Sequence, residues 1–140
     1  MSDLFDNLDH RRAIIDRREL ADQLDAIAAE SNDSGARRRA MVTLLKEALD
    51  EGRAEIERRL LDHPSSGRLA ASATAFLIDQ IVRLSHDFTT GHLYPSANRS
   101  AGQRTTRIAV GGYGRGQMPP TSGTRLGFPT RFRQTDVPAR

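Results

Sequence analysis

Cysteine and tryptophan are absent from the 140 residues, lysine occurs once, at Lys46, and aromatic residues make up only 5%. Without cysteine there can be neither a disulfide framework nor a thiolate zinc site. No run of about eighteen apolar residues occurs, so no membrane-spanning helix is expected. The first residues, Met1-Ser2-Asp3-Leu4-Phe5-Asp6, lack the basic start and apolar run of a signal peptide. A cytoplasmic chain is the expectation. The four histidines, His10, His63, His86 and His92, have no close metal-ligand spacing and read as surface or helix-end residues. No internal repeat is present.

The composition that remains, 37% hydrophobic and 28% charged, allows one small domain with a modest core. Charge is unevenly spread. Residues 99–140 hold eight of the 21 basic residues and one of the 18 acidic ones, a net charge of +7, whereas residues 1–98 carry −4. Nearly all of the positive charge is arginine. A basic, glycine-containing tail is an electrostatic footprint for nucleic acid or other anions.

Apolar periodicity predicts three helices. The first spans His10 to about Ser31, with Ile14, Leu20, Leu24, Ile27 and Ala28 at helical spacing. Asn32-Asp33-Ser34-Gly35 breaks it, and Asp33 or Ser34 can cap the next helix. The second runs from about Ala36 to Asp62 on a stripe that includes Met41, Leu45, Ala48 and Ile56. Its Glu55, Arg58 and Arg59 read as a solvated face, and Arg37-Arg38-Arg39 as an exposed start. Pro64 ends it, and a serine can cap the third helix, Arg68 to Thr89. That helix has the densest apolar set and is expected at the centre of the core; Asp79 and Gln80 within it read as polar-face residues. The resulting fold class is mostly α: a helical region over 1–98, then a region over 99–140 with two short strands, roughly Thr106–Val110 and Thr124–Phe128. Two strands are marginal without further partners, so the segment after Asn98 is expected to be loosely held.

The one stretch shaped for chemistry follows Ile108-Ala109-Val110. It is Gly111-Gly112-Tyr113-Gly114-Arg115-Gly116, then Ser122-Gly123-Thr124-Arg125-Leu126. Glycines let backbone N–H groups converge on an anion, phosphate above all. Arg115 adds a planar cation suited to phosphate oxygens. The spacing is not the dinucleotide fingerprint, because Gln117 stands where its last glycine would fall, and no Gly-Lys-Ser/Thr follows to make a P-loop. A flexible loop without a ligand is the competing reading.

The run from Ile108 to Pro120 resembles the start of the nucleotidyltransferase domain of bacterial PII uridylyltransferases, the bifunctional uridylyltransferase and uridylyl-removing enzymes of nitrogen signalling. The likeness continues through Ser122, Leu126-Gly127-Phe128, Thr130, Phe132 and Gln134-Thr135. Upstream it includes Ala75 to Leu84 and His86 to Thr90, and it covers roughly Leu44 to Thr135 in all. It implies that the strands begin a nucleotidyltransferase α/β sheet and that UTP and the PII protein are partners. It also implies that Gly111, Gly112, Arg115 and Ser122 are nucleotide-binding and that Asp79 and Gln80 could support the transferase domain. The family's magnesium-holding aspartates match Gly123 and Arg125 here. Glycine has no side-chain ligand and arginine is a cation, so the metal ligands are missing and no catalytic residue is assigned. Pro129, where the family has a strand leucine, is a further departure. The family enzyme is several times longer, and the chain reads as its N-terminal remnant, truncated and inactive. The alternative is a nucleotide- or RNA-binding basic tail on a helical interaction module, with Tyr113, Phe128 and Phe132 available for stacking.

Overall fold

A computed structural model describes residues 8–93 and the backbone of two short strands, residues 108–110 and 125–127. The described chain is mostly helical. Its helices are α1 (Arg11–Ile14), α2 (Arg17–Glu30), α3 (Ser34–Asp62) and α4 (Gly67–Phe88), the last continued by a π-helical turn, Thr89–Leu93. The strands are β1 (Ile108–Val110) and β2 (Arg125–Gly127). Among the described residues no helix is long and apolar enough to cross a membrane.

The single first helix expected from periodicity is two helices. The break falls at Ile15, which is extended (φ −158°, ψ 131°), and at Asp16, whose carboxylate accepts from the backbone N–H groups of Arg18 and Glu19. Burial explains the break. Ile14 and Ile15 are both buried, yet in an unbroken helix adjacent side chains point about 100° apart. One extended residue lets both isoleucines enter the core, and Asp16 satisfies the orphan donors of the new helix start. At the other end of α1, His10 takes the left-handed conformation (φ 51°, ψ 48°).

Asp33 caps α3 as expected, accepting from Gly35 N at 3.3 Å and Ala36 N at 3.2 Å. The serine before α4 does not cap it: the Ser66 hydroxyl donates to the His63 carbonyl instead.

Arg37 is not the exposed arginine its neighbours suggest. It is half-buried, and its guanidinium donates to the carbonyls of Ala28 and Ser31, at the end of α2, and to the His92 carbonyl in the π turn at 3.1 Å. The last carbonyls of α2 lack helical partners, and one planar fork reaches two of them and a third 55 residues away. Arg37→Ala is expected to lower unfolding free energy by about 2 kcal/mol, the scale of lost charge-assisted hydrogen bonds. Arg37→Lys should recover little, because an ammonium cannot reproduce the fork. Urea titration of the three proteins checks this.

The core lies between α3 and α4, with α2 and α1 packed against them. Leu77 and Ala75 of α4 are wholly buried. Leu77 packs at Gly52 of α3, where a β-carbon would lie 2.5 Å from Leu77 Cδ1 and 2.9 Å from the Ile14 carbonyl oxygen. A mid-helix glycine ordinarily weakens a helix. Here it lets α1, α3 and α4 meet at one point.

Asp79 and Gln80 are buried, contrary to the polar-face reading. Asp79 pairs with Arg83 at 2.9 Å and accepts from Gln80 Nε2 at 3.3 Å. A buried carboxylate needs such partners.

β1 and β2 pair antiparallel, with Ile108 opposite Gly127, Ala109 opposite Leu126 and Val110 opposite Arg125. The outer residues of both expected strands lie outside the described residues.

Candidate functional site

The residues marked by the sequence divide into two groups. Gly111, Gly112, Arg115, Ser122 and Gly123 lie outside the described residues, and Arg125 is described through its backbone alone. The strand register still fixes a useful relation. Val110 and Arg125 are directly opposite, and opposed Cα atoms in an antiparallel pair are about 4.5–5.5 Å apart. The glycine run therefore leaves β1 directly across from the residue that opens β2.

The donor chemistry at these positions does not suit a magnesium ion. Magnesium takes hard oxygen ligands in near-octahedral geometry. Gly123 supplies none, and a guanidinium at 125 repels a cation. Among the described residues no group of three His, Cys, Asp or Glu side chains could hold a metal ion.

The helical part has a groove of about 500 Å³ where the start of α1 meets the end of α3 and the start of α4. Leu8, Ile56, Leu69 and Ala73 supply apolar wall, and His10, Glu55, Arg58 and Arg59 are its polar lining. Glu55 is the one strongly shifted acid there. Hydrogen bonds from Arg58 and Arg59, at 2.8 and 2.9 Å, hold its carboxyl down at about 2. Such a group stays ionised near neutral pH and has no proton to donate there. Arg59 also donates to the carbonyls of Asp9 and His10, at 2.9 and 3.0 Å, and fastens the segment before α1 onto α3. The sequence presents these residues as a solvated face; that holds for Arg58 but not for the more sheltered Glu55 and Arg59. The tether should depend on pH. Glu55 is depressed in the folded chain, so its contribution is complete above its ordinary value of 4.5 and is lost as pH falls from there towards 2. Glu55→Gln should flatten that part of a stability–pH curve.

Gly52, the buried Asp79 with its half-buried partner Arg83, and the Arg37 fork are what the sequence does not reveal. For Asp79 a signal was present: it sits in the most apolar stretch of the chain, between Ile78 and Ile81.

A helical segment leading into a strand, a glycine-rich run and a second strand is the class these elements define. Over 126 residues, 90% of its length, the chain is 50% identical to a bifunctional uridylyltransferase/uridylyl-removing enzyme of Novosphingobium aromaticivorans. It is 45% identical over 126 residues to the enzyme of that name from Rhodospirillum rubrum, and 46% over 125 residues to that from Erythrobacter litoralis. The chain spans 14% of the length of the first two relatives and 13% of the third. No family model and no solved structure matches it. Over nine-tenths of its length, then, this chain is a homologue of one segment of the bifunctional uridylyltransferase/uridylyl-removing enzymes.

Proposed function

We propose that this chain corresponds to the helical lead-in and nucleotide-facing start of a uridylyltransferase. It keeps the phosphate-side residues of that centre and has lost the metal-side ones. Gly111, Gly112 and Arg115 would receive the phosphates of UTP through backbone N–H groups and a guanidinium, with Ser122 as a further donor. Arg125 would supply positive charge where the family resemblance implies a carboxylate and magnesium. The chain by itself would then bind UTP weakly, without needing magnesium, and would not transfer UMP to PII. What supports this reading is 50% identity to the Novosphingobium enzyme together with glycine and arginine at the two positions where the resemblance implies metal-holding aspartates.

The experiment is transfer of labelled UMP from UTP to PII in the presence of magnesium. No incorporation above background is expected, and sustained turnover would refute the reading. The second reading, RNA binding by the arginine-rich segment, is favoured by the +7 charge of residues 99–140. It requires measurable single-stranded RNA affinity at low salt that falls steeply as salt rises.

A further inference from the structure

Residues 8–15 are held to the bundle differently from the longer helices. Their one helix, α1, has four residues, and a helix that short is not stable by itself in water. Each of its ends carries a break. His10, at the start, is in the left-handed region, which a residue with a β-carbon occupies at a cost. Ile15, at the end, is extended, and so is Asp16 (φ −99°, ψ 97°). α2 does not lean on α1 for its own start, because the Asp16 carboxylate caps it by accepting from Arg18 and Glu19. Undocking of α1 leaves that cap intact.

Two things hold these residues in place. Leu8, Ile14 and Ile15 are buried, and α3 is the main element on which α1 packs. Among the described residues, the hydrogen bonds that reach residues 8–15 from another element both come from one side chain. Arg59 donates to the Asp9 carbonyl at 2.9 Å and to the His10 carbonyl at 3.0 Å. Its Nε donates to Glu55 at 2.9 Å, which aims the planar fork.

We infer that residues 8–15 form a strap that opens from α3 as a unit while α2, α3 and α4 stay folded, with Arg59 as its latch and Ile15 and Asp16 as its hinge. Native proteins open in contiguous units that cost less than global unfolding. A segment bounded by two breaks and tied by one side chain is placed to be such a unit. The groove of about 500 Å³ gives the motion a consequence. Leu8, Asp9, His10 and Ala13 form one of its walls, and Ile56 of α3 and Ala73 of α4 belong to the other side. Opening the strap removes the first wall and bares Ile56, which is 3% exposed when the strap is closed. The groove is then the closed form of a wider apolar cleft between α3 and α4. The strap opens in the same way whether or not the chain binds UTP.

Native-state hydrogen exchange on the full chain, read by NMR where the rate reports the opening equilibrium, tests this. The Ile15 amide bonds to the Arg11 carbonyl within the strap, and the Leu77 amide lies in the middle of α4. Corrected for intrinsic rates, Ile15 should exchange at least tenfold faster than Leu77. Arg59→Ala should speed both amides at least fivefold, since strap opening and global unfolding each break the latch. Arg37→Ala removes the fork between α2 and the π turn. It should speed Leu77 at least tenfold and leave Ile15 within twofold, because the strap opens with that fork intact. A rise at Ile15 equal to that at Leu77 in Arg37→Ala overturns the inference, since the strap would then open only with the whole bundle. An Ile15 rate that Arg59→Ala does not change, or one as slow as that of Leu77 in the parent chain, also overturns it.

Discussion

Gly52→Ala and Leu77→Ala are each expected to destabilise the helical bundle, and together to destabilise it by less than their sum. Leu77 is wholly buried, and truncating such a leucine costs about 2–5 kcal/mol in transfer energy and residual cavity. Gly52→Ala gains about 1 kcal/mol of helix propensity. Its new methyl, however, would sit 2.5 Å from Leu77 Cδ1 and 2.9 Å from the Ile14 carbonyl oxygen. The leucine can swing away; the carbonyl is backbone and ties the end of α1 to the same point. Overpacking of this kind costs about 1–3 kcal/mol, so the net effect of Gly52→Ala is destabilising. In the double variant the alanine at 52 occupies space that Leu77 vacates. A coupling of about 1–2 kcal/mol in the favourable direction is expected for residues in contact. Urea denaturation of the four proteins measures it. Strict additivity would show that Gly52 and Leu77 are not the contact that sets the spacing of α3 and α4.

The second large effect concerns the metal side of the proposed nucleotide centre. Gly123→Asp combined with Arg125→Asp should make UTP binding depend on magnesium. The two changes move the local charge by three units, from one positive to two negative, and supply hard oxygen ligands at both positions. The register brings one of them, 125, directly opposite Val110, the residue before the glycine run. At least a tenfold gain in UTP affinity on adding magnesium is expected for the double variant and none for the parent chain. Without magnesium, the double variant should bind UTP more weakly than the parent, because two carboxylates then face the phosphates. Titration calorimetry with and without magnesium reads both arms. Equal magnesium dependence in the two proteins would mean that these positions do not face the triphosphate.

How much of this was legible beforehand depends on what each residue had to satisfy. The helices were written in the apolar period of Met41, Leu45, Ala48 and Ile56 and of Ala73, Leu77 and Leu84, and Asp33 announced the start of α3. The break before Asp16 was not legible. Ile14 and Ile15 fit a continuous helix as sequence, and only their shared burial forces one extended residue between two helices. Gly52 looks like a weak spot along the chain and becomes a contact only when α4 is laid across it. Arg37 looks like Arg38 and Arg39 until the fold brings the His92 carbonyl, 55 residues on, within its reach. Asp79 carries the hardest lesson: a charge in an apolar helix reads as a solvated face, whereas it is buried and paired with Arg83 one turn on. At the candidate site, the glycine run and the replaced aspartates were plain in the sequence. The pairing of Val110 with Arg125 was not, because register is a relation between strands.

The proposed function has the phosphate-side half of a uridylyltransferase centre persisting in this chain without its metal-side half. An amide proton–nitrogen NMR titration with UTP, run with and without magnesium, tests it most directly. The predicted result is that resonances of Gly111 to Gly116 shift on adding UTP and that magnesium leaves the apparent affinity unchanged. Resonances that ignore UTP at millimolar concentration, or that respond only when magnesium is present, would contradict it.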